Sequence, residues 1–262
     1  MKVFDLSGKT ALITGATGYL GSEMAVALAE SGAHILINSR SYEQSEALVR
    51  RLFDLGYSSE SAVFDITDPV AIEAFFKAQK LSEIDILINN AYLGQAGSIE
   101  NSNSKAYTDS FDIVVIAAHN LLKAALPLLR NAVKKNGGAS VINIASMYGV
   151  VSADQRIYNR KSDANPPFYG AAKAALLQWT RYAACEFGSE GIRVNSISPG
   201  PFPSLEVQKN NPTLIKSLKS KVPLGRIGEA GEIRGPVIFL ASPASSFVNG
   251  ANLIVDGGWT CW

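Results

Sequence analysis

The sequence predicts an α/β fold in which about seven parallel strands form one doubly wound sheet with helices on both faces. Two observations carry this prediction. Short apolar runs rich in β-branched residues alternate with longer stretches whose apolar residues recur at helical spacing, and this alternation continues along the whole chain. The 262 residues contain no repeat, low-complexity tract or linker, so we expect a single domain over 1–262.

Each predicted strand is a short run bounded by glycine or polar residues. The strands are expected at residues 10–14, 34–38, 61–64, 84–89, 140–145, 192–197 and 252–255. The first of them, Thr-Ala-Leu-Ile-Thr, is typical, because it is apolar enough to be buried on both faces, as the strands of a parallel sheet are.

Helices are expected between these strands, and most carry a start or stop signal. They are expected at residues 20–31, 41–55, 105–135 as one or two helices, 168–187 and 229–241, with a further helix opening at residue 68. Gly32, Gly56 and Gly188 follow three of them, and glycine ends helices because it tolerates left-handed backbone angles. Asp68 and Pro69 supply a cap and a first helical residue.

The composition excludes several classes of function. Lys and Arg number 24 against 23 Asp and Glu, so nothing draws the chain to nucleic acid or an anionic membrane. The apolar run at 113–118 is far too short for a membrane span, and the N-terminus lacks a secretory signal, which predicts a cytoplasmic protein. Cys185 and Cys261 are expected to be free thiols, and His34 and His119 are too few for a metal site.

The first strand runs directly into a glycine-rich turn at residues 14–21, and a helix follows. Glycines permit a tight turn and let the backbone approach a pyrophosphate, while the helix N-terminus offers unpaired N–H groups and a partial positive charge. This arrangement predicts a dinucleotide site. Its expected contacts are Gly15, Thr17, Gly18, Tyr19, Leu20 and Gly21.

The end of the second strand indicates which dinucleotide is bound. An acidic residue at this position would accept the ribose 2′-hydroxyl of NAD, whereas arginine accommodates the 2′-phosphate of NADP. Ser39 and Arg40 stand here and no carboxylate does. The sequence therefore favours NADP(H) and leaves NAD(H) open.

A chemical site is predicted where the fifth strand meets the following helix. Tyr169 and Lys173 are four residues apart and share one helix face, and Ser146 lies just past the strand. An ammonium close to a phenol lowers the phenol pKa, which suits Tyr169 to proton exchange with a carbonyl or alcohol oxygen. Ser146 is placed to hold the same oxygen by a hydrogen bond.

Together these motifs resemble the short-chain dehydrogenase/reductase family in its compact one-domain form, over residues 6–259. Further family elements stand in the expected order, at 65–66, 89–91, 195–200 and 255–258. The resemblance implies a Rossmann-like fold and an oxidoreductase that acts on CH–OH groups, with hydride moving between a nicotinamide and the substrate carbon.

The resemblance also implies roles for individual residues. Tyr169 is the catalytic acid–base, Lys173 lowers its pKa and holds the nicotinamide ribose, and Ser146 orients the substrate. Asp65 and Ile66 flank the adenine. The residues implied to contact the cofactor beyond the glycine turn are Ser39, Arg40, Asp65, Ile66, Asn90, Ala91, Lys173, Pro199, Gly200, Phe202 and Ser204, with Phe202 and Ser204 nearest the nicotinamide.

Four features depart from the compact members of the family. The glycine spacing is similar to that of sugar-nucleotide epimerases and dehydratases, because compact members have their middle glycine where Tyr19 stands. Tyr92 replaces a glycine, and Val114 replaces a catalytic asparagine, which leaves the usual proton relay in doubt. Ser146 and Tyr169 are 23 residues apart, wider than usual.

The wide spacing creates an insertion, 152–167, which we expect at the mouth of the active site. Its polar and basic residues are Gln155, Arg156, Tyr158, Asn159, Arg160, Lys161 and Asn165. They favour a sugar, or another hydroxylated or anionic small molecule, over a steroid or a long acyl chain. The irregular segment 199–223 is expected to form a substrate lid, with 210–221 as its mobile part.

Three other functions stay open. The motifs at 223–226 and 255–258 are similar to those of 3-oxoacyl-carrier-protein reductases. The glycine spacing is similar to that of NAD-dependent sugar-nucleotide epimerases or dehydratases, although the chain ends about where the sheet ends and leaves no second lobe. Val114 is consistent with a dinucleotide-sensing protein that has lost catalysis, which the intact catalytic residues argue against.

The resemblance implies a homotetramer or homodimer, built through the long helices after the fourth and fifth strands. The apolar residues that would form this face, or equally the core, are Leu121, Leu122, Leu126, Leu176, Leu177 and Trp179. The other expected partner is a small-molecule substrate.

Overall fold

The computed structural model describes residues 2–78 and 81–262, and within them seven strands form one parallel sheet. The strands are β1 (Thr10–Ile13), β2 (His34–Ser39), β3 (Ser59–Val63), β4 (Ile86–Asn89), β5 (Ala139–Ile144), β6 (Ile192–Pro199) and β7 (Asn252–Val255). Their order is β3-β2-β1-β4-β5-β6-β7. The chain therefore winds outward from β1 in one direction and then from β4 in the other, and the predicted doubly wound fold is confirmed.

The helices cover both faces of this sheet. They are α1 (Tyr19–Glu30), α2 (Tyr42–Asp54), α3 (Pro69–Ala78), α4 (Ser104–Phe111), α5 (Ala117–Asn136), α6 (Pro167–Phe187), α7 (Leu205–Asn210), α8 (Pro212–Lys221) and α9 (Arg234–Ala241). A π-helical turn, Asp112–Ile116, joins α4 to α5. Buried residues of α1, α2 and α9 pack on one face, and those of α3, α5 and α6 pack on the other.

The sheet is buried on both sides, which explains why its strands are so apolar. Every residue of β4 and β5 is buried. Leu28 and Leu240 pack on one face, whereas Leu121 and Leu129 pack on the other. Burial of one leucine side chain stabilises the folded state by roughly 1.5–3 kcal/mol. The sheet is stabilised in this way on both faces, and it therefore supplies a rigid frame for the loops at the strand ends.

The predicted strand bounds agree with the observed ones to within about two residues, but two other predictions need correction. The segment 199–223 is not irregular, because it contains α7 and α8. Their starts are marked by Ser204 and Asn211, whose side chains accept backbone N–H groups as helix caps. The predicted helix 229–241 begins with a 3-10 turn, Ala230–Ile233, and becomes α-helical only afterwards.

The long helical stretch Ser104–Asn136 is, by length and composition alone, apolar enough to cross a membrane. In this fold one side of the stretch packs into the core, through residues such as Leu121, Ala125 and Leu129. The six apolar residues considered for an oligomer face divide accordingly. Leu121, Leu122, Leu176 and Leu177 are buried within the chain itself, and only Leu126 and Trp179 are partly exposed.

Candidate active site

A cleft of about 730 Å³ opens where the segments that follow β1 to β6 meet. Parallel strands bring their carboxyl ends to the same edge of the sheet, so motifs far apart in the sequence converge there. All but one of the predicted site residues line this cleft. They are Gly15, Thr17, Gly18, Tyr19, Leu20, Gly21, Ser39, Arg40, Asp65, Ile66, Asn90, Ala91, Ser146, Tyr169, Lys173, Pro199, Gly200 and Phe202.

The exception is Ser204, which was expected near the nicotinamide. Its hydroxyl caps α7 by accepting the N–H of Val207 at 3.4 Å, and the residue is not part of the cleft lining. Phe202 does line the cleft, with its ring against Gly228, where a Cβ atom would lie 2.6 Å from the ring. The segment after β6 therefore contributes an aromatic ring to the cleft and uses its serine for a helix start.

Two of the three glycines in the turn after β1 are required by close backbone contacts. Gly15 has a φ of +60°, and a Cβ there would lie 2.8 Å from Cα of Ala91. A Cβ at Gly21 would overlap the carbonyl oxygen of Gly15. Gly18 is the N-cap of α1, and no side chain of the described residues caps this helix. The backbone N–H groups of its first turn therefore remain available to donate hydrogen bonds to a ligand.

Thr14 and Asn90 tie this turn to the end of β4. The Thr14 hydroxyl oxygen accepts the N–H groups of Asn90 at 2.9 Å and Ala91 at 3.1 Å. Asn90 Nδ2 in turn donates to the carbonyl oxygens of Thr14 at 2.9 Å and Gly15 at 3.0 Å. Because the Asn90 amide is engaged in this way, it shapes the glycine turn rather than offering its own donors to a ligand.

The end of β2 presents an arginine beside a helix N-terminus. Ser39 is engaged internally, since its hydroxyl donates to the carbonyl oxygen of Ser41 at 2.7 Å and accepts the Ser41 N–H at 3.0 Å. Ser41 caps α2 by accepting the N–H of Gln44 at 3.3 Å. Arg40 is exposed at the cleft, and no side chain in the described part of the chain forms an ion pair with its guanidinium. It is therefore available to an anion.

Ser146, Tyr169 and Lys173 meet within this cleft. Ser146 Oγ accepts the N–H of Tyr148 at 3.1 Å, which fixes the hydroxyl and leaves its proton to donate. Lys173 lies one turn after Tyr169 on α6, and its Nζ donates to the carbonyl oxygen of Ile144 at 2.6 Å. The same Nζ lies 5.7 Å from the centre of the Tyr169 ring.

Burial, rather than charge, dominates the pKa values of this pair. It raises the pKa of Tyr169 above its usual value, and the side chain of Ser146 works in the opposite direction. It lowers the pKa of Lys173 to about 7. In this structure Nζ of Lys173 is engaged with the carbonyl oxygen of Ile144, and the expectation that Lys173 lowers the pKa of Tyr169 stays a prediction.

The cations of the insertion are paired within the chain. Arg156 forms a two-point ion pair with Asp154, and Arg160 forms one with Asp163. Lys161 pairs with a carboxylate in the segment before α4. None of the three lines the cleft around the catalytic residues. Each of these exposed cations is therefore already paired with a carboxylate, which partly compensates its charge.

The insertion packs against α8 instead of lying free in solvent. Asp154 pairs with Lys221 at the end of α8 as well as with Arg156, and both partners hold the pKa of its carboxyl well below the usual range. Ile157 of the insertion shares a small apolar core with Ile215 of α8 and with Trp259. The insertion and α8 are thus joined by an ion pair and by apolar contacts.

Ten further residues line the cleft and were not predicted from the sequence. The additional residues are Asn38, Ser41, Gln44, Phe64, Thr67, Tyr92, Leu93, Ile113, Ile144 and Ala145. Most of them adjoin a predicted residue, so extending each motif by one or two positions finds them. Gln44 and Ile113 reach the cleft only through the helical turns of α2 and of the π-helical segment, for which the sequence carries no motif.

Val114, at the position of the usual catalytic asparagine, is buried in an apolar cluster with Ala118, Ala172 and Leu176. No polar side chain replaces the asparagine at this position in the helix. Among residues 2–78 and 81–262, no group of three or more His, Cys, Asp or Glu side chains is arranged to hold a metal ion. The polar side chains that the sequence predicts for the chemistry, Ser146, Tyr169 and Lys173, all line the cleft.

A family model described as enoyl-(acyl carrier protein) reductase matches residues 15–260. The chain belongs to the short-chain dehydrogenase/reductase family, in its compact one-domain form, and it is an oxidoreductase acting on CH–OH groups. The family assignment agrees with the strand order, the glycine turn and the Tyr–Lys pair described above.

Three relatives cover nearly the whole chain. Galactitol 2-dehydrogenase (L-tagatose-forming) of Cereibacter sphaeroides is 33% identical, over 99% of this chain and 98% of its own. The 3-oxoacyl-[acyl-carrier-protein] reductase of Vibrio cholerae is 31% identical, over 97% and 98%. The crystal structure of a gluconate 5-dehydrogenase from Burkholderia cenocepacia, in complex with NADP and tartrate, is 30% identical with a TM-score of 0.88, over 99% and 98%.

Proposed function

We propose that this protein is an NADP(H)-dependent oxidoreductase that interconverts a carbonyl and an alcohol on a sugar, polyol or sugar acid. The observation that carries the proposal is the convergence of Ser146, Tyr169 and Lys173 with the glycine turn on one cleft. The substrate class is supported by the names of two relatives, which act on galactitol and gluconate.

The cleft fits a dinucleotide with an extra phosphate. Its volume lies within the range of roughly 300–1,000 Å³ typical of ligand sites. Gly15 and Gly21 keep open a space that side chains would fill, and the first-turn N–H groups of α1 would hold the pyrophosphate. Arg40 would hold the 2′-phosphate. When bound, the nicotinamide supplies or accepts the hydride.

The residues of the chain handle the proton and the oxygen. In the direction of reduction, Tyr169 gives its phenolic proton to the carbonyl oxygen as the carbonyl carbon gains a hydride, so that an alcohol and a phenolate result. Ser146 donates a hydrogen bond to the same oxygen. Lys173 has N–H donors left after its bond to Ile144, and these would hold the nicotinamide ribose and stabilise the phenolate. Oxidation reverses each transfer.

We further propose a homodimer or homotetramer located in the cytoplasm. The exposed apolar side chains Ile116 and Tyr182, on the long helical segments, support a contact between copies. Cys185 and Cys261 are free and exposed, as is usual for proteins of a reducing compartment. Sedimentation equilibrium of the purified protein checks the oligomer, and a purely monomeric result would contradict it.

The proposal is tested by following nicotinamide absorbance with a panel of keto sugars and keto sugar acids, and with polyols in the reverse direction. We expect turnover with NADPH or NADP. The Tyr169→Phe variant should lose about 10²- to 10⁴-fold in kcat/KM, because the proton donor is removed, while NADPH affinity stays within about threefold. Equal activity of wild type and Tyr169→Phe would overturn the assignment of the acid–base.

A second candidate function is reduction of 3-oxoacyl thioesters, which the relative from Vibrio cholerae favours. The same assay therefore includes a 3-oxoacyl thioester. Turnover of the thioester alone would replace the sugar proposal by this second candidate. Turnover of sugars alone would exclude it.

A further inference from the structure

The loop after β4 carries an aromatic residue that the proposed mechanism does not use. Tyr92 stands where compact members of the family have a glycine. Its ring meets the ring of Tyr169 edge-to-face, with centroids 4.7 Å apart and planes at 61°. The centre of the Tyr92 ring also lies 5.6 Å from Nζ of Lys173. One side chain therefore contacts both members of the catalytic pair.

Tyr92 and Tyr169 together enclose the ammonium of Lys173. Its Nζ lies at nearly the same distance from the two ring centres, within the roughly 6 Å over which an aromatic face attracts a cation. The carbonyl oxygen of Ile144 accepts a hydrogen bond from Nζ of Lys173. The lysine side chain is almost completely shielded, with the residue 3% exposed.

A second cavity of about 640 Å³ adjoins the cleft, lined mainly by α4 and the loop before it. Four residues line both spaces, and Tyr92 is the largest of them. The others are Thr67, Leu93 and Ile113. The Tyr92 ring therefore separates the second cavity from the catalytic pair, and its removal would let water reach Lys173.

We propose that Tyr92 is a positioning residue of the catalytic pair, whose ring fixes the orientation of Tyr169 and closes Lys173 off from water. The catalytic meaning of this inference rests on the proposed function, whereas its geometry does not. Ring and ammonium are in contact whatever the substrate is.

The ring of Tyr92, and not its hydroxyl, carries this role. The hydroxyl oxygen is buried and has no hydrogen-bond partner among the described residues. The hydroxyl of Ser110, which lies nearby, donates a hydrogen bond to the carbonyl oxygen of Phe168 at 3.3 Å. Burial raises the pKa of Tyr92 to about 12 although the nearby Ser110 side chain works in the opposite direction, so the phenol stays neutral. Phenylalanine should therefore replace tyrosine here without loss.

The absence of a side chain at Gly94 leaves the space that the Tyr92 ring occupies. A Cβ atom at Gly94 would lie 2.5 Å from Cζ and 2.7 Å from Cε1 of Tyr92, so any side chain there displaces the ring. The loop folds tightly over the tyrosine because it has a glycine two residues further on. Gly94→Ala thus offers a way to move Tyr92 without altering it or any catalytic residue.

The charge state of Lys173 reports on this enclosure. Burial lowers the pKa of Lys173 to about 7, and no charged partner opposes it. Tyr92 and Tyr169 are the titratable side chains that face Nζ. On the neighbouring elements, the Tyr148 and Tyr158 hydroxyls are hydrogen-bonded to each other, and Asp112 of the π-helical turn contributes no charge effect to the pKa of Lys173. Water admitted beside Nζ should therefore raise the pKa of Lys173.

The test is an NMR titration of protein labelled with [13C]lysine, in which Lys173→Met assigns the Cε resonance. We expect a midpoint near 7 for wild type and for Tyr92→Phe, and a midpoint at least about one pH unit higher for Tyr92→Ala. Gly94→Ala should shift it in the same direction. Gly235→Ala is the control, because a Cβ there meets nothing within 4 Å. An unchanged midpoint in a folded Tyr92→Ala variant would overturn the inference.

Kinetics complete the test. Tyr92→Ala should lower kcat at least about tenfold with NADPH affinity changed less than about threefold, and Tyr92→Phe should keep kcat within about twofold. Thermal melting of each variant excludes unfolding as the cause. If wild type turns over no sugar, the proposed function fails while the titration still decides the role of Tyr92. If the Tyr92→Ala variant keeps the kcat and the pH profile of the wild type, that role is overturned.

Discussion

The two sides of the cleft are built in different ways. The proposed cofactor side consists of the segments after β1 to β4, and it is shaped by backbone contacts such as those of Gly15 and Gly21. The proposed substrate side consists of 152–167 and 199–223, and it is shaped by ion pairs and a small apolar core. The first derives its form from the sheet edge, whereas the second is held together by contacts between its own side chains.

Two arginines show what this difference means for function. Arg40 on the cofactor side extends into the cleft without a carboxylate partner among the described residues. Arg156 on the substrate side is bound at two points by Asp154. A guanidinium already held by a carboxylate has little attraction left for a substrate anion. The availability of a charge, rather than its presence, therefore distinguishes a ligand site from a structural contact.

The largest effect is expected from Gly21→Ala on the cofactor side. Its Cβ would overlap the Gly15 carbonyl oxygen, so the turn must move. We expect NADPH affinity, measured by fluorescence titration, to fall about 1,000-fold or more. Gly18→Ala is the matched control, since its Cβ would lie 3.3 Å from the same oxygen and should cost far less. Equal affinities of the two variants would break the backbone argument.

Lys173→Met tests how dry the floor of the cleft is. Below about pH 7 the ammonium is charged in both the folded and the unfolded chain, and its burial destabilises the fold fully. As pH rises above 7, the folded protein loses this proton first, so the free energy of unfolding increases with pH until the unfolded value near 10.5 is reached.

The variant lacks this penalty at every pH. We therefore expect Lys173→Met to be more stable than wild type at pH 6, and the difference to shrink by about 3 kcal/mol between pH 6 and pH 9. Urea unfolding of both proteins measures it, and the other titrating groups cancel because both proteins share them. A difference independent of pH would show that Lys173 is well solvated.

The fold was predictable from the sequence because its signals are local. A parallel sheet buries its strands on both faces, so β4 and β5 appear as short, mainly apolar runs whose residues are all buried. The helices α7 and α8 were missed because both are short, yet Asn211 followed by Pro212 is a helix start that the sequence did contain.

The candidate site was predictable where the sheet edge determines it, and less so where side chains contact each other across loops. Ser146, Tyr169 and Lys173 follow from strand and helix positions. The pairing of Arg160 with Asp163 lies within three residues and was open to recognition as an ion pair. The contact of Tyr92 with Lys173 joins the loop after β4 to α6, which only the folded sheet brings together.

Arg40→Ala sharpens the comparison at a smaller scale. A charge-assisted bond to a phosphate should be lost, so we expect NADPH affinity to fall about 10- to 30-fold while NADH affinity stays unchanged. Arg156→Ala is the matched control from the substrate side, and it should change neither the NADPH affinity nor the NADH affinity. If NADPH and NADH weaken equally in Arg40→Ala, the arginine is not the phosphate contact and the preference for NADP(H) loses its structural basis.

The smallest effect is expected from the triple variant Arg156→Ala, Arg160→Ala and Lys161→Ala. Exposed ion pairs contribute little, and each of these cations is already held by a carboxylate. The KM for a keto sugar acid should therefore change less than about twofold. A tenfold rise would mean that the cations leave their partners to bind substrate, and the contrast between the two sides would fail. Asp154→Ala should raise KM more than the triple variant, because it releases Lys221 of the lid from the insertion.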